Sequence, residues 1–252
     1  KLKGLEDMIS LSVVHPFMGD KGWTFAEGAG VIADPIVKAD YLYEVYIAAK
    51  PDYTGRVTVP ILWDKKTNTI VSNESSEIIR MFNSAFDEVG ATTVSFLPAE
   101  LLAEIDTVNE FVYSAVNNGV YKAGFATTEA AYKEAVITLF DALDTLEARL
   151  VDQRYLLGDM ITEADWRLFT TLVRFDAVYV GHFKCNIHRI VDYPNLWGYL
   201  RDLYQVPGIA ETVSIEHIKA HYYTSHANIN PTRIIPVGPL LDFNEPHDRA
   251  HL

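Results

Sequence analysis

Few side chains in this chain stand ready for chemistry, and each has an ordinary structural use to weigh against it. The single cysteine, Cys185, lies in His182-Phe183-Lys184-Cys185-Asn186-Ile187-His188, where a thiol between imidazoles could act as a nucleophile. A reactive thiolate needs a cation or a helix N-terminus beside it. Cys185 falls far from any predicted helix start, so a packed thiol is expected. His217 and His221 stand four apart on a predicted helix, a spacing that can bind metal. Glu216 precedes His217 instead of following it, so the metalloprotease order is absent and no metal site is expected. Gly28-Ala29-Gly30 has neither the third glycine nor the preceding strand of a dinucleotide turn, so no nucleotide is expected. Two other stretches are less ordinary. Gly55-Arg56-Val57-Thr58-Val59-Pro60-Ile61-Leu62-Trp63-Asp64 has the residue types of a buried strand, yet Pro60 interrupts it with no N–H for a ladder. Asn73-Glu74-Ser75-Ser76-Glu77-Ile78-Ile79 opens a helix, and unpaired N–H groups at a helix start favour an anion.

The elements that would position these residues follow from periodicity. Ile9–Val14 alternates with period two and predicts a strand, ended by His15-Pro16. Gly19–Pro35 is glycine-rich and predicts a long loop. Tyr41, Leu42, Val45 and Tyr46 recur at helical spacing, with a stop before Pro51. A strand over Val57–Trp63, a turn at Lys65–Asn68 and a strand over Thr69–Val71 come next. A helix from Glu74 to Phe86 then places Ile78, Ile79 and Phe82 on one face. Beyond residue 90 the pattern is all helical. Pro98 opens a helix to about Asn118 with Leu101, Leu102, Ile105, Val108, Phe111 and Val112 as its stripe. Thr127 or Thr128 caps a helix carrying Val136, Leu139, Phe140, Leu143, Leu146 and Leu150. Thr162-Glu163-Ala164-Asp165 reads as an N-cap with an acid at the third helical position. Pro194 opens a further helix carrying Leu196, Leu200 and Leu203, and the tail from Asn230 holds too much proline for regular structure. The expected organisation is a mixed domain over 1–90, a helical domain over 91–229 and a tail over 230–252.

Composition narrows the class. A chain of 252 residues, 49% apolar, can bury a substantial core, and its longest apolar runs fall short of a membrane span. A net charge of -13 argues against nucleic acid, whose phosphates need a basic footprint. One cysteine allows no internal disulfide and suits a reducing compartment. No secretory signal is visible at Lys1–Glu6, and the missing initiator Met suggests a chain cut at its N-terminus. A soluble, cytoplasmic protein is the expectation.

A strand broken by Val-Pro, a hairpin to a second strand, and Asn73-Glu74-Ser75-Ser76-Glu77-Ile78-Ile79 opening a helix resemble the glutathione-binding half of glutathione transferases. In that family a thioredoxin-like α/β domain precedes an all-α helical domain. Gly158-Asp159-Met160-Ile161-Thr162-Glu163-Ala164-Asp165 resembles the capping signature of the buried helix in the second domain. Gly22-Trp23-Thr24-Phe25, Gly55-Arg56-Val57-Thr58-Val59-Pro60, Asn73-Glu74-Ser75-Ser76-Glu77-Ile78 and Tyr121-Lys122-Ala123-Gly124-Phe125-Ala126 are similar to one branch, the glutathionyl-hydroquinone reductases or xi-class transferases. The similarity covers essentially the whole chain. One departure stands out. The family carries its nucleophile in a Cys-Pro-Trp-Ala motif at the start of the first helix, which by the resemblance lies upstream of Lys1 together with the first strand. Residues 1–252 are therefore expected to be inactive alone.

The resemblance implies glutathione as co-substrate and assigns roles by position. Glu74 accepts from the γ-glutamyl amine, while Ser75 and the helix-start N–H groups donate to its carboxylate. A cis bond before Pro60 turns the chain so that Val59 offers its N–H and C=O to the tripeptide like an added strand. Arg56 adds charge for a carboxylate, and Trp23 covers the ligand with its indole. Tyr121, Tyr179 and Tyr222 line the acceptor pocket, where a phenol both donates to and accepts from a hydroquinone hydroxyl. The implied reaction converts a glutathionyl-hydroquinone to the hydroquinone through a cysteine–glutathione mixed disulfide, released as oxidised glutathione. A homodimer is also implied. The rivals are an omega-like transferase or thioltransferase and a non-catalytic glutathione-binding protein. A conventional conjugating transferase would need an activating Ser or Tyr near the N-terminus, and none is convincing.

Overall fold

The structure, a computed structural model, describes residues 1–252 and divides into two compact units, Lys1–Val94 and Ser95–Leu252. In the first unit, helix α1 (Leu42–Ala49) begins where the Glu44 carboxylate accepts from the Asp40 and Tyr41 N–H groups, at 2.8 and 3.1 Å. It stops at Lys50, held extended by the proline that follows. Its buried face (Leu42, Val45 and Tyr46, with Ala39) gathers Val14, Trp23, Phe25, Tyr53, Val57, Ile61, Trp63 and Ile70 into the core of this unit. Strands β1 (Leu62–Asp64) and β2 (Thr69–Ser72) form an antiparallel pair joined by a turn in which Asn68 takes φ 51°. Helix α2 (Ser75–Ser84) follows directly.

Three expectations for this unit fail in detail. Ile9–Val14 is not a strand. Only Val13 pairs, exchanging hydrogen bonds with Ile32 at 2.9 and 3.0 Å, and Leu11 is 69% exposed, so the alternation has no sheet to face. The Val57–Trp63 strand shrinks to β1, because the N–H and C=O of Thr58 bond to the Tyr46 hydroxyl instead of a ladder; the Val59–Pro60 bond is cis. Of the predicted face on α2, Ile78 is buried but Ile79 is exposed.

In the second unit, α3 (Leu102–Phe111) passes into a π-helical turn, Val112–Asn117, and then α4 (Gly119–Gly124). The single helix expected from Pro98 to Asn118 is thus a 3-10 turn (Ala99–Leu101), an α-helix and a π turn. Ile105, Val108 and Val112 are its buried line, while Leu102 and Phe111 lie on the flanks and are exposed. Helix α5 (Glu129–Arg149) starts at Thr128, whose hydroxyl accepts from the Ala131 N–H, and buries the whole expected stripe through Leu150. Helix α6 (Glu163–Arg174) carries a capping box. Asp165 accepts from the Thr162 N–H at 2.7 Å, the Leu156 N–H at 2.9 Å and the Tyr199 hydroxyl at 2.8 Å. Burial pushes this carboxyl up from its ordinary range, and the donors oppose that shift. A second π turn, Phe175–Tyr179, extends α6 before α7 (Pro194–Tyr204) and α8 (Ile215–Ser225). Leu196, Leu200 and Leu203 fix α7 in the core.

The tail after Asn230 has no regular element. It is tied down by side chains instead. Arg249 donates to the carbonyls of Leu150, Gln153 and Arg154, and Phe243 stacks on Tyr204 with ring centroids 4.9 Å apart. No helix is long and apolar enough to cross a membrane.

Candidate functional site

In the first unit the residues of interest sit on two short segments. Glu74 precedes α2 and makes no side-chain cap, so both Glu74 and Ser75 present exposed side chains. Ser72 sets this start, accepting from the Glu74 N–H at 3.1 Å and donating to Glu77 at 2.8 Å. The N–H groups of Ser75 and Ser76 have no acceptor in the chain, as expected of a first helical turn. On the second segment Val59 is 44% exposed, and its N–H and C=O make no hydrogen bond within the chain. Pro60 and the Arg56 side chain are exposed beside it. Trp23 is partly buried against the α1 cluster, and its carbonyl accepts from the Leu42 N–H at 3.0 Å.

Sequence reasoning treated Tyr46 only as an apolar position. Its ring is buried, but its hydroxyl donates to the Thr58 carbonyl at 2.8 Å and accepts from the Thr58 N–H at 3.2 Å. The Asn73 amide also donates to it, at 3.2 Å. One phenol therefore touches the residue before Val59 and the residue before Glu74. Nothing in the spacing signals this, because the partners lie 12 and 27 residues away.

The second unit brings Tyr121, Tyr179 and Tyr222 together. The Tyr222 hydroxyl lies 2.5 Å from that of Tyr121 and 3.0 Å from that of Tyr179. Tyr121 comes from α4 just after one π turn, Tyr179 ends the other, and Tyr222 projects from α8. Single π turns shift the phase of a helix and recur at functional sites. Two contacts among three hydroxyls use two protons. The third is left over, and Tyr121 is the member with an exposed edge, at 38% against 2% for Tyr179. Burial, then the neighbouring phenols, push Tyr179 well above the usual phenol range, and burial, then Tyr121, push Tyr222 up; Arg174 opposes both shifts, and the hydrogen bond with Tyr179 opposes that of Tyr222. Both remain protonated donors at neutral pH. Tyr223 points elsewhere, its hydroxyl 3.5 Å from the Ala177 carbonyl.

Aromatic rings wall this cluster. Phe183 stacks on Tyr179 at 5.6 Å, and Phe125 and His226 close on Phe183 at 5.2 and 5.9 Å. Gly124 makes the packing possible, since a Cβ there would overlap the Phe183 ring. His226 Nδ1 is 3.1 Å from His182 Nε2. Burial holds both imidazoles below their ordinary pKa, His182 at about 4.

Comparison with known proteins shows the family. Residues 129–202 match the family model described as glutathione S-transferase, C-terminal domain. The chain is 58% identical over 250 residues to the glutathionyl-hydroquinone reductase YqjG of Escherichia coli K12, covering 99% of this chain and 76% of that protein. It is 59% identical over 238 residues to the glutathionyl-hydroquinone reductase PcpF of Sphingobium chlorophenolicum, covering 94% and 76%. The chain belongs to the glutathionyl-hydroquinone reductases, the xi-class glutathione transferases. The glutathione-bound structure of YqjG superposes with a TM-score of 0.97, covering 98% of this chain and 81% of that one. A xi-class transferase from Natrialba magadii, 53% identical, also reaches 0.97, covering 100% and 77%. The xi-class fold, a thioredoxin-like part followed by a helical transferase domain, is therefore that of this chain.

Cys185 is fully buried, its Sγ 3.8 Å from the Phe183 carbonyl, and burial pushes its thiol up to about 12. His217 and His221 lie on α8, and no three His, Cys, Asp or Glu side chains cluster as metal ligands. Gly28-Ala29-Gly30 lies on an exposed loop with no strand before it.

Proposed function

We propose that residues 1–252 bind glutathione and the aromatic acceptor in a glutathionyl-hydroquinone reductase. The convergence of three phenol hydroxyls, with one of their three protons left over and Tyr121 exposed, carries this reading. A site built to meet a hydroquinone needs groups that both give and take a hydrogen bond beside apolar rings.

In the first half-reaction a cysteine thiolate attacks the glutathionyl sulfur, forming an S–S bond and breaking the bond from sulfur to the ring carbon. The ring carbon keeps the electron pair and takes a proton delivered from the tyrosine cluster, so the hydroquinone leaves. In the second, the thiolate of another glutathione attacks the mixed disulfide, releasing oxidised glutathione and restoring the cysteine thiolate. The attacking thiol belongs to the Cys-Pro-Trp-Ala motif that the resemblance puts before Lys1. Buried Cys185, with its raised pKa, is unsuited to that task. Glutathione is held by the free Val59 main chain, the α2 start at Glu74 and Ser75, and Arg56, while Trp23 covers it with its indole. Residues 1–252 alone turn over no substrate on this reading, and the working protein is a cytoplasmic homodimer.

The test is Tyr222→Phe in a chain extended upstream through that motif. Removing the central hydroxyl lowers kcat for a glutathionyl-hydroquinone by about a hundredfold or more, the range of lost proton-transfer catalysis. Unchanged kcat refutes a proton-delivering cluster.

A further inference from the structure

We propose that Tyr46, supported by Tyr53, is a positioning residue for glutathione binding that sets both halves of the clamp at once. The proposal rests on the reading of the first unit as the glutathione site. Val59 can add to an extended peptide only if its N–H and C=O are held in a fixed direction, because ordering a loose loop on binding costs affinity. The preceding segment has no sheet to hold it, since β1 begins only at Leu62. Two phenols do that work instead. Tyr46 takes the N–H and the C=O of Thr58, and the Tyr53 hydroxyl donates to the Arg56 carbonyl at 2.6 Å. The two rings pack with centroids 4.9 Å apart, so the pair forms one rigid mount under residues 56–58.

The same Tyr46 hydroxyl accepts from Asn73, whose amide also lies 3.4 Å from Thr58 Oγ1. Asn73 precedes Glu74, so the distance between the Val59 main chain and the α2 start is fixed through a single oxygen atom. The covalent length of glutathione limits the span between its γ-glutamyl end and its cysteinyl main chain. A mount that fixes the spacing of the two receiving segments selects for that span. Phenylalanine at position 46 would keep the buried ring and lose only this coupling.

The experiment is isothermal titration of reduced glutathione into the chain and into Tyr46→Phe, at a temperature well below the unfolding midpoint of each. The expected result is about tenfold weaker binding by Tyr46→Phe, the scale of losing a set of buried hydrogen bonds. A purely structural role would lower the midpoint and leave the dissociation constant alone. Binding by the variant within twofold of the parent overturns the inference and leaves the glutathione reading standing. A parent chain that binds no glutathione overturns that reading and the inference with it. If Tyr46→Phe does not fold, Tyr53→Phe and Asn73→Ala decide: weaker binding by both supports the mount, and parental binding by both overturns it.

Discussion

Gly124→Ala probes the packing that walls the tyrosine cluster, the proposed acceptor site. The added methyl would overlap the Phe183 ring, whose Cδ2 would lie only 2.7 Å from it. Phe183 is fully buried and cannot swing aside, because Tyr179 stacks on it at 5.6 Å and Phe125 lies 5.2 Å away. Overpacking of this kind costs about 1–3 kcal/mol. At about 2–4 °C per kcal/mol for a chain of this size, a cost of about 2 kcal/mol lowers the unfolding midpoint by about 4–8 °C. The assay is thermal unfolding followed by circular dichroism, with the near-ultraviolet aromatic signal recorded on the native state. Both the midpoint and the aromatic signal change if Phe183 is displaced against Tyr179. Phe183→Leu in the same chain should recover part of the loss, a coupling between touching residues that a double-mutant cycle measures. An unchanged midpoint and aromatic spectrum, or strict additivity of the two substitutions, would refute the packing argument.

Other outcomes follow from the same geometry. The folded-state pKa of His182 is depressed to about 4, chiefly by burial, so the unfolded state binds its proton first as pH falls. Stability is therefore full above the ordinary imidazole pKa and is lost as pH falls from there towards 4; denaturant titrations across that window should show it, with a shallower slope in His182→Gln. Asp165→Asn removes an acceptor shared by the Leu156 and Thr162 N–H groups and the Tyr199 hydroxyl, and should cost about 3 kcal/mol or more by urea unfolding. Cys185, buried with its thiol pushed up to about 12, should resist a thiol-specific colorimetric reagent in the native protein and react fully in denaturant. A fast native reaction would return Cys185 to the candidate nucleophiles.

What the sequence made legible depended on how local the cause was. The α5 stripe and the Thr162–Asp165 cap declare themselves within a few residues, and the structure keeps both. The start of α2 at Glu74 was readable for the same reason. The alternation of Ile9–Val14 was equally local but misleading, because strand formation needs a neighbour and only Val13 finds one. The π turns at Val112 and Phe175 leave no periodic trace, since an inserted residue changes the phase without changing residue type. The tyrosine cluster joins residues 101 and 43 positions apart, so among 14 tyrosines only family pattern could single those three out. Tyr46 shows the same limit: its apolar ring was legible from helical spacing, and the destination of its hydroxyl was not.

The central claim is tested most directly by following a glutathionyl-hydroquinone with reduced glutathione, using residues 1–252 and a chain extended upstream through the Cys-Pro-Trp-Ala motif. The extended chain should release one hydroquinone and one oxidised glutathione for each conjugate consumed, and residues 1–252 should release neither. Comparable turnover by both chains, or hydroquinone formed without oxidised glutathione, would contradict the account.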